Sequence, residues 1–132
     1  MKILGIIPAR YGSTRFPGKP LVNINGKSMI QRVYEQSCKS NRLTKVIIAT
    51  DDERIVKHAN EFGGEVVMTS PHHLSGTDRC AEIVARETGK WDAVVNIQGD
   101  EPYIQPEQID LLCSCFELND VSIATQIGRA HV

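Results

Sequence analysis

The sequence predicts a doubly wound α/β fold built on a mostly parallel sheet, and three observations carry that reading. Five apolar runs, at residues 3–7, 46–49, 66–68, 93–97 and 121–124, are short, often β-branched and polar at their ends, as expected for strands covered on both faces. Helical patterns with caps at their starts and glycines at their ends separate the runs. The chain has 132 residues, of which 41% are hydrophobic, enough for one ordinary core and one domain.

In chain order, residues 3–7 form the first strand, which should stop at Pro8 because proline has no N–H for a central ladder. Residues 8–20, P-A-R-Y-G-S-T-R-F-P-G-K-P, read as a loop. Ser28 caps a helix to about Lys39, with Ile30, Val33, Tyr34 and Ser37 on one face. After the strand at 46–49, Asp51 opens a helix that runs through Phe62 and ends at Gly63. Thr77 caps a third helix that reaches Thr88 ahead of Gly89. Pro106 suits the first turn of a fourth, which continues to about Phe116. Strand and helix alternate, which specifies right-handed crossovers with helices on both faces. In such sheets ligands gather at the carboxyl ends of the strands, near the point where strand order reverses.

Bulk properties exclude several functions. The formal charge is −1 and the pI near 6.4, so no broad basic surface exists to bind nucleic acid or an anionic membrane. No stretch is long enough to cross a bilayer, and the apolar opening lacks a signal-peptide pattern, so a cytoplasmic location is expected. Cys38, Cys80, Cys113 and Cys115 form no C-x-x-C pair, fall in expected helices and read as small packing residues. His72 and His73 are neighbours whose rings point apart, which argues against one shared metal.

The loop at 8–20 is the most specific feature. It carries Arg10, Arg15 and Lys19, hydroxyls at Ser13 and Thr14, flexible points at Gly12 and Gly18, and rigid ones at Pro17 and Pro20. Backbone N–H groups and cations gathered this way suit a polyphosphate. It is not a Walker loop: Gly12 and Gly18 are too far apart, and Pro20 follows Lys19. Nor is it the dinucleotide fingerprint, whose close-set glycines open directly into a helix. Two more motifs fall after strands. S-G-T-D-R at 75–79 offers hydroxyls and Arg79 at a helix start, while Asp100, following Gly99, places a carboxylate at a strand end. Mg²⁺ is commonly held by one or two carboxylates together with substrate phosphates, and Asp100 is the natural candidate here, ahead of Glu101.

These three segments, A-R-Y-G-S-T-R-F-P-G-K-P, S-G-T-D-R and N-I-Q-G-D-E-P (96–102), resemble the signature motifs of the nucleotide-sugar cytidylyltransferases. The run at 13–17 and Pro20 are similar to the branch acting on 3-deoxy-manno-octulosonate (Kdo), and dissimilar to the sialic-acid branch. The resemblance implies a Rossmann-like nucleotidyltransferase fold and a reaction in which CTP and Kdo yield CMP-Kdo and pyrophosphate. It implies that Arg10, Lys19 and Asp100 are catalytic, with Asp100 binding Mg²⁺. CTP would be bound by Ala9, Arg10, Ser13, Thr14, Arg15, Lys19, Ser75, Gly76, Thr77 and Arg79, and the sugar acid by Gln98.

The family's enzymes are longer, and the likeness covers their amino-terminal part. The remainder is expected to hold a second metal carboxylate, most of the sugar pocket and the contacts of a homodimer. Residues 1–126 therefore read as the nucleotide-binding part. Residues 127–132 depart from the family's continuation and match one reading frame of a common sequencing-adapter oligonucleotide, so a non-native tail is expected there. A nucleotide-binding module without catalysis and a sialic-acid-type transferase are the alternatives.

Overall fold

A computed structural model of the chain describes residues 1–12, 17–72, 76–86, 91–118 and 123–126. The elements are β1 (Ile3–Ala9), β2 (Asn23–Ile24), β3 (Lys27–Ser28), α1 (Met29–Cys38), β4 (Lys45–Thr50), α2 (Glu53–Glu61), β5 (Val66–Met68), α3 (Gly76–Arg86), β6 (Ala93–Ile97), α4 (Pro106–Leu118) and β7 (Ile123–Gln126). Five strands form one parallel sheet in the order β5-β4-β1-β6-β7, with β2 and β3 as a separate antiparallel hairpin. The chain walks outward from β1 to β5, then crosses back to β6. Strand order thus reverses between β1 and β6, and the crevice opens above their ends.

Alternation along the strands builds a core on each face. Ile3, Ile7, Ala9, Val46, Ile48, Val95 and Ile97 meet Ile30 and Val33 of α1, Ile55 and Ala59 of α2, and Ile109 and Cys113 of α4. Leu4, Ile6, Ile47, Ala49 and Val94 point the other way, onto Cys80 and Ile83 of α3. The expected doubly wound sheet, with helices on both faces, is therefore present.

One crossover departs from the expected handedness. The chain moves in the same direction across the sheet through α3 and through α4, yet α4 packs on the opposite face, beside α1. The β6–α4–β7 connection is thus of opposite hand to the other three. Ile109 and Cys113 seat α4 in the core there, with the Ser40 hydroxyl donating to Asp110 of the helix and Gln36 Nε2 donating at 2.8 Å to the Ile104 carbonyl just before it.

Local expectations were mostly met, with instructive exceptions. Ser28 caps α1 by accepting from the Gln31 N–H at 3.1 Å, and Gly63 ends the α2 segment at φ +79°. The cap of α2 is Asp52 rather than Asp51, accepting from the Arg54 N–H at 2.8 Å. Helix α3 begins at Gly76, which puts Thr77 inside the first turn instead of at the cap. The first strand does not stop at Pro8 but runs to Ala9. Pairing with β6 ends at Ile6 and Asn96, and the Pro8 carbonyl faces Gly99 beyond that ladder, where a strand residue without an N–H is tolerated. The hairpin β2–β3 was not anticipated. It turns through Asn25 and Gly26 at φ 53° and 95°. Residues 88, 89, 121 and 122, which the sequence assigns to element ends, lie outside the described residues.

Candidate functional site

The candidate site lies on the rim formed by the carboxyl ends of β1, β4, β5 and β6. Pro8 is its corner. A Cβ on Gly76 would come within 2.9 Å of Pro8 Cγ, and one on Gly99 within 3.0 Å of the Pro8 carbonyl oxygen. Both glycines exist because backbone from α3 and from the end of β6 closes tightly on the end of β1. The three motifs therefore meet at one place. Gly99 serves this contact between backbones.

The loop after β1 has a closed neck. Gly18, at φ +74°, donates its N–H to the Tyr11 carbonyl at 2.8 Å, and the Tyr11 ring lies against it. The Arg54 guanidinium, from the first turn of α2, sits 3.2 Å above the centre of that ring. Arg54 is held in turn by Asp52, at 2.7 Å. Hydrogen bonding from Arg54 keeps the Asp52 carboxyl below its ordinary range. Inside the neck, Arg10 folds back on its own loop, donating to the Gly12 carbonyl from Nε at 3.1 Å and Nη2 at 2.7 Å.

Beyond Gly18 a single 3-10 turn, Lys19–Leu21, carries Lys19 toward the end of β6. Its ammonium is 3.5 Å from Asp100 Oδ2. Ala9 is buried at the end of β1, Gln98 is half-buried, Thr77 is exposed and Gly76 lies against Pro8. Ser13, Thr14, Arg15 and Ser75 lie outside the described residues, as does His73. Arg79 is brought to the rim's foundation rather than its surface: it is 2% exposed, with its guanidinium turned inward. The guanidinium is engaged by Thr69, Ser70 and Asp51.

The donor set at Asp100 suits Mg²⁺ in one specific way. Its carboxylate is 56% exposed, a hard oxygen donor facing the crevice. Among the described residues no three His, Cys, Asp or Glu side chains gather into a cage. A lone open carboxylate fits an ion that takes its other oxygens from water and phosphate.

A family model described as cytidylyltransferase matches residues 4–131. The chain belongs to the cytidylyltransferase family. It is 57% identical over 127 residues to the 3-deoxy-manno-octulosonate cytidylyltransferase of Parabacteroides distasonis, covering 96% of this chain and 50% of that protein. The enzyme of the same name from Bacteroides thetaiotaomicron gives the same identity and coverage. Among solved structures, CMP:2-keto-3-deoxy-manno-octonic acid synthetase complexed with CTP superposes with a TM-score of 0.86 at 42% identity, over 91% of this chain and 49% of that one. A cytidylyltransferase from Leptospira borgpetersenii gives 0.77 at 27% identity, over 90% and 50%. The chain spans about half the length of the curated relatives it matches.

Sequence reasoning missed part of this candidate site. Tyr11 stood inside the leading motif without a role, and Arg54, Asp51 and Thr69 stood outside every motif. Their partners come from other strand ends, so no local spacing marks them. Asp51 and Asp52 carried the only local signal, as adjacent candidates for a helix cap.

Proposed function

We propose that this chain is the nucleotide-binding part of an enzyme that transfers CMP from CTP to the anomeric hydroxyl of Kdo, releasing pyrophosphate and forming CMP-Kdo for lipopolysaccharide synthesis. The observation that carries the reading is the convergence at Pro8. A cationic loop, a helix start and a carboxylate from three separate motifs share one crevice where strand order reverses. The names of the relatives and the CTP complex of the solved neighbour support the substrates.

In this reading the anomeric oxygen bonds to the α-phosphorus of CTP in line. The bond from that phosphorus to the bridging oxygen breaks, pyrophosphate departs and the hydroxyl proton is released. Acceptor and triphosphate are both anionic, so shielding of charge is the protein's main task. Lys19 and Arg10 neutralise phosphate oxygens, while Arg15, Ser13 and Thr14 position them and the backbone at Ala9 borders the cradle. Ser75, Gly76 and Thr77 take the cytosine and ribose end, and Gln98 faces the sugar acid. Asp100 would hold Mg²⁺, which when bound supplies Lewis-acid polarisation of phosphate oxygens and of the attacking hydroxyl. Among the described residues no helix is long and apolar enough to cross a membrane, which accords with action in the cytoplasm. We further propose assembly as a homodimer.

Pyrophosphate release, assayed with CTP, Mg²⁺ and Kdo, tests the proposal on the polypeptide together with whatever its reading frame encodes beyond Gln126. Turnover with Kdo, exceeding that with sialic acid, is expected. CTP binding without turnover would assign a binding module, a reading favoured for the bare chain by its span of half its relatives. No uptake of CTP would overturn the proposal.

A further inference from the structure

Arg79 belongs to a recognised motif, yet it is placed where a ligand-facing residue would not be. A guanidinium is tolerated in a protein interior when its donors are satisfied and its charge is compensated. Both conditions are met by groups drawn from different strand ends. Nη1 donates to Thr69 Oγ1 at 2.5 Å and to the Ser70 carbonyl at 3.3 Å, immediately after β5. Nη2 is 3.7 Å from Asp51 Oδ2, immediately after β4.

The groups it grips are themselves fixed. Thr69 is buried and donates its N–H to the Thr50 carbonyl at 2.7 Å, and the Ser70 N–H donates to Glu82 of α3 at 2.9 Å. Arg79 itself sits in the first turn of α3, whose Gly76 abuts Pro8 at the end of β1. One side chain thereby joins the ends of β4 and β5 to the start of α3, and through Gly76 to the end of β1. The planar fork of arginine reaches both sides of this junction, which the single point charge of lysine does not.

We propose that Arg79 is a positioning residue that sets the distance between the ends of β4 and β5 and the first turn of α3, and so the width of the pocket entered by the base end of the nucleotide. This rests on reading the rim as a CTP cradle. It differs from the direct CTP contact that the motif alone suggests, because the guanidinium acts through the backbone it holds. Width discriminates bases, so the signature of the role is specificity.

The test compares CTP and UTP binding by calorimetry with Mg²⁺, on the unsubstituted polypeptide with its full reading frame and on Arg79→Lys, Asp51→Asn and Thr69→Val, each checked by circular dichroism. Arg79→Lys is expected to remain folded, to bind CTP about tenfold more weakly or worse, and to lose part of its preference for CTP over UTP. Asp51→Asn and Thr69→Val should shift the same preference less, and they carry the test if Arg79→Lys does not fold. A lowered melting temperature with an unchanged CTP-to-UTP ratio in the folded variants would overturn the proposal. Absence of CTP uptake in the unsubstituted protein would overturn the underlying reading of the rim, and the proposal with it.

Discussion

Lys19 Nζ stands 3.5 Å from Asp100 Oδ2, joining the loop after β1 to the end of β6 across the point where strand order reverses. The two side chains are 41% and 56% exposed, which limits the pair's contribution to stability to at most about 1 kcal/mol. Its importance is positional. The pair holds a cation of the kind that suits phosphate and a hard oxygen donor as neighbours at the strand ends.

Substitution of either residue should therefore separate activity from stability. If the proposed transfer reaction holds, Lys19→Ala or Asp100→Ala in the polypeptide with its full reading frame is expected to lower turnover by about a hundred- to a thousandfold, equivalent to about 3–4 kcal/mol of transition-state stabilisation. Thermal melting should barely move. Pyrophosphate release and calorimetric melting, run on the same preparations, check both halves; near-normal turnover in the two variants would remove them from the catalytic machinery.

Gly18 offers a sharper probe of the loop. Its φ of +74° costs an L-residue about 1–2 kcal/mol, and a new Cβ would meet the Tyr11 ring at 3.0 Å. Gly18→Ala should open the neck between Gly18 and Tyr11, weakening CTP binding more than it lowers the melting temperature. Gly12→Ala is the control, since nothing lies within 4 Å of a Cβ there. Equal effects of the two substitutions on CTP affinity, measured by titration calorimetry, would show that the neck does not shape the cradle.

How much of this was legible in the sequence follows the range of each interaction. Ser28 and Pro106 announce helices through contacts within one turn, and their helices are where the sequence puts them. The β-branched runs announce buried strands, whose alternation sorts Ile3 and Ile7 to one face and Leu4 and Ile6 to the other. Asn25-Gly26 was readable as a hairpin turn, in a stretch between Pro20 and Ser28 to which the apolar pattern assigned no element. What failed was longer in range. Pro8 continues its strand because the neighbouring ladder ends, Asp51 serves Arg79 instead of a helix, and Tyr11 is covered by an arginine from α2. None of these follows from residues nearby in the chain. The reversed hand of the α4 crossover likewise goes with tertiary contacts, the packing of Ile109 and Cys113 beside α1.

Acid should reveal the cap of α2. Hydrogen bonding to Arg54 lowers the Asp52 pKa from its usual 3.8, so the folded state binds this proton more weakly than the unfolded chain does. The stability it contributes is present above that usual value and is lost as pH falls through the lowered one. Asp52→Ala should cost about 1 kcal/mol near neutrality and flatten the acid limb of the stability curve. Asp52→Asn should keep most of the cap while flattening the same limb. Urea denaturation between pH 6 and pH 3 measures this, and an acid limb as steep in Asp52→Asn as in the unsubstituted chain would reassign the dependence to other carboxylates.

Alkali acts on the opposite side of the fold's ionisation balance. Burial pushes the Cys80 thiol up to about 12 and the Cys113 thiol to about 11, from an ordinary value of 9.0. A raised folded pKa means that the native state holds these protons more tightly than the unfolded chain. Their contribution is therefore complete below pH 9 and is lost as pH climbs from there toward 11–12. Within that window each thiol removes about 1.4 kcal/mol per pH unit at most. Cys80→Ala combined with Cys113→Ala should flatten the alkaline limb even though the cavities lower stability at pH 7. Thiol labelling at pH 8 gives an independent readout, with exposed Cys38 and Cys115 reacting in the native protein and Cys80 and Cys113 reacting only on unfolding. Rapid native labelling of Cys80 would contradict its burial between α3 and the sheet, and with it the packing that seats Arg79 one residue earlier on the same turn.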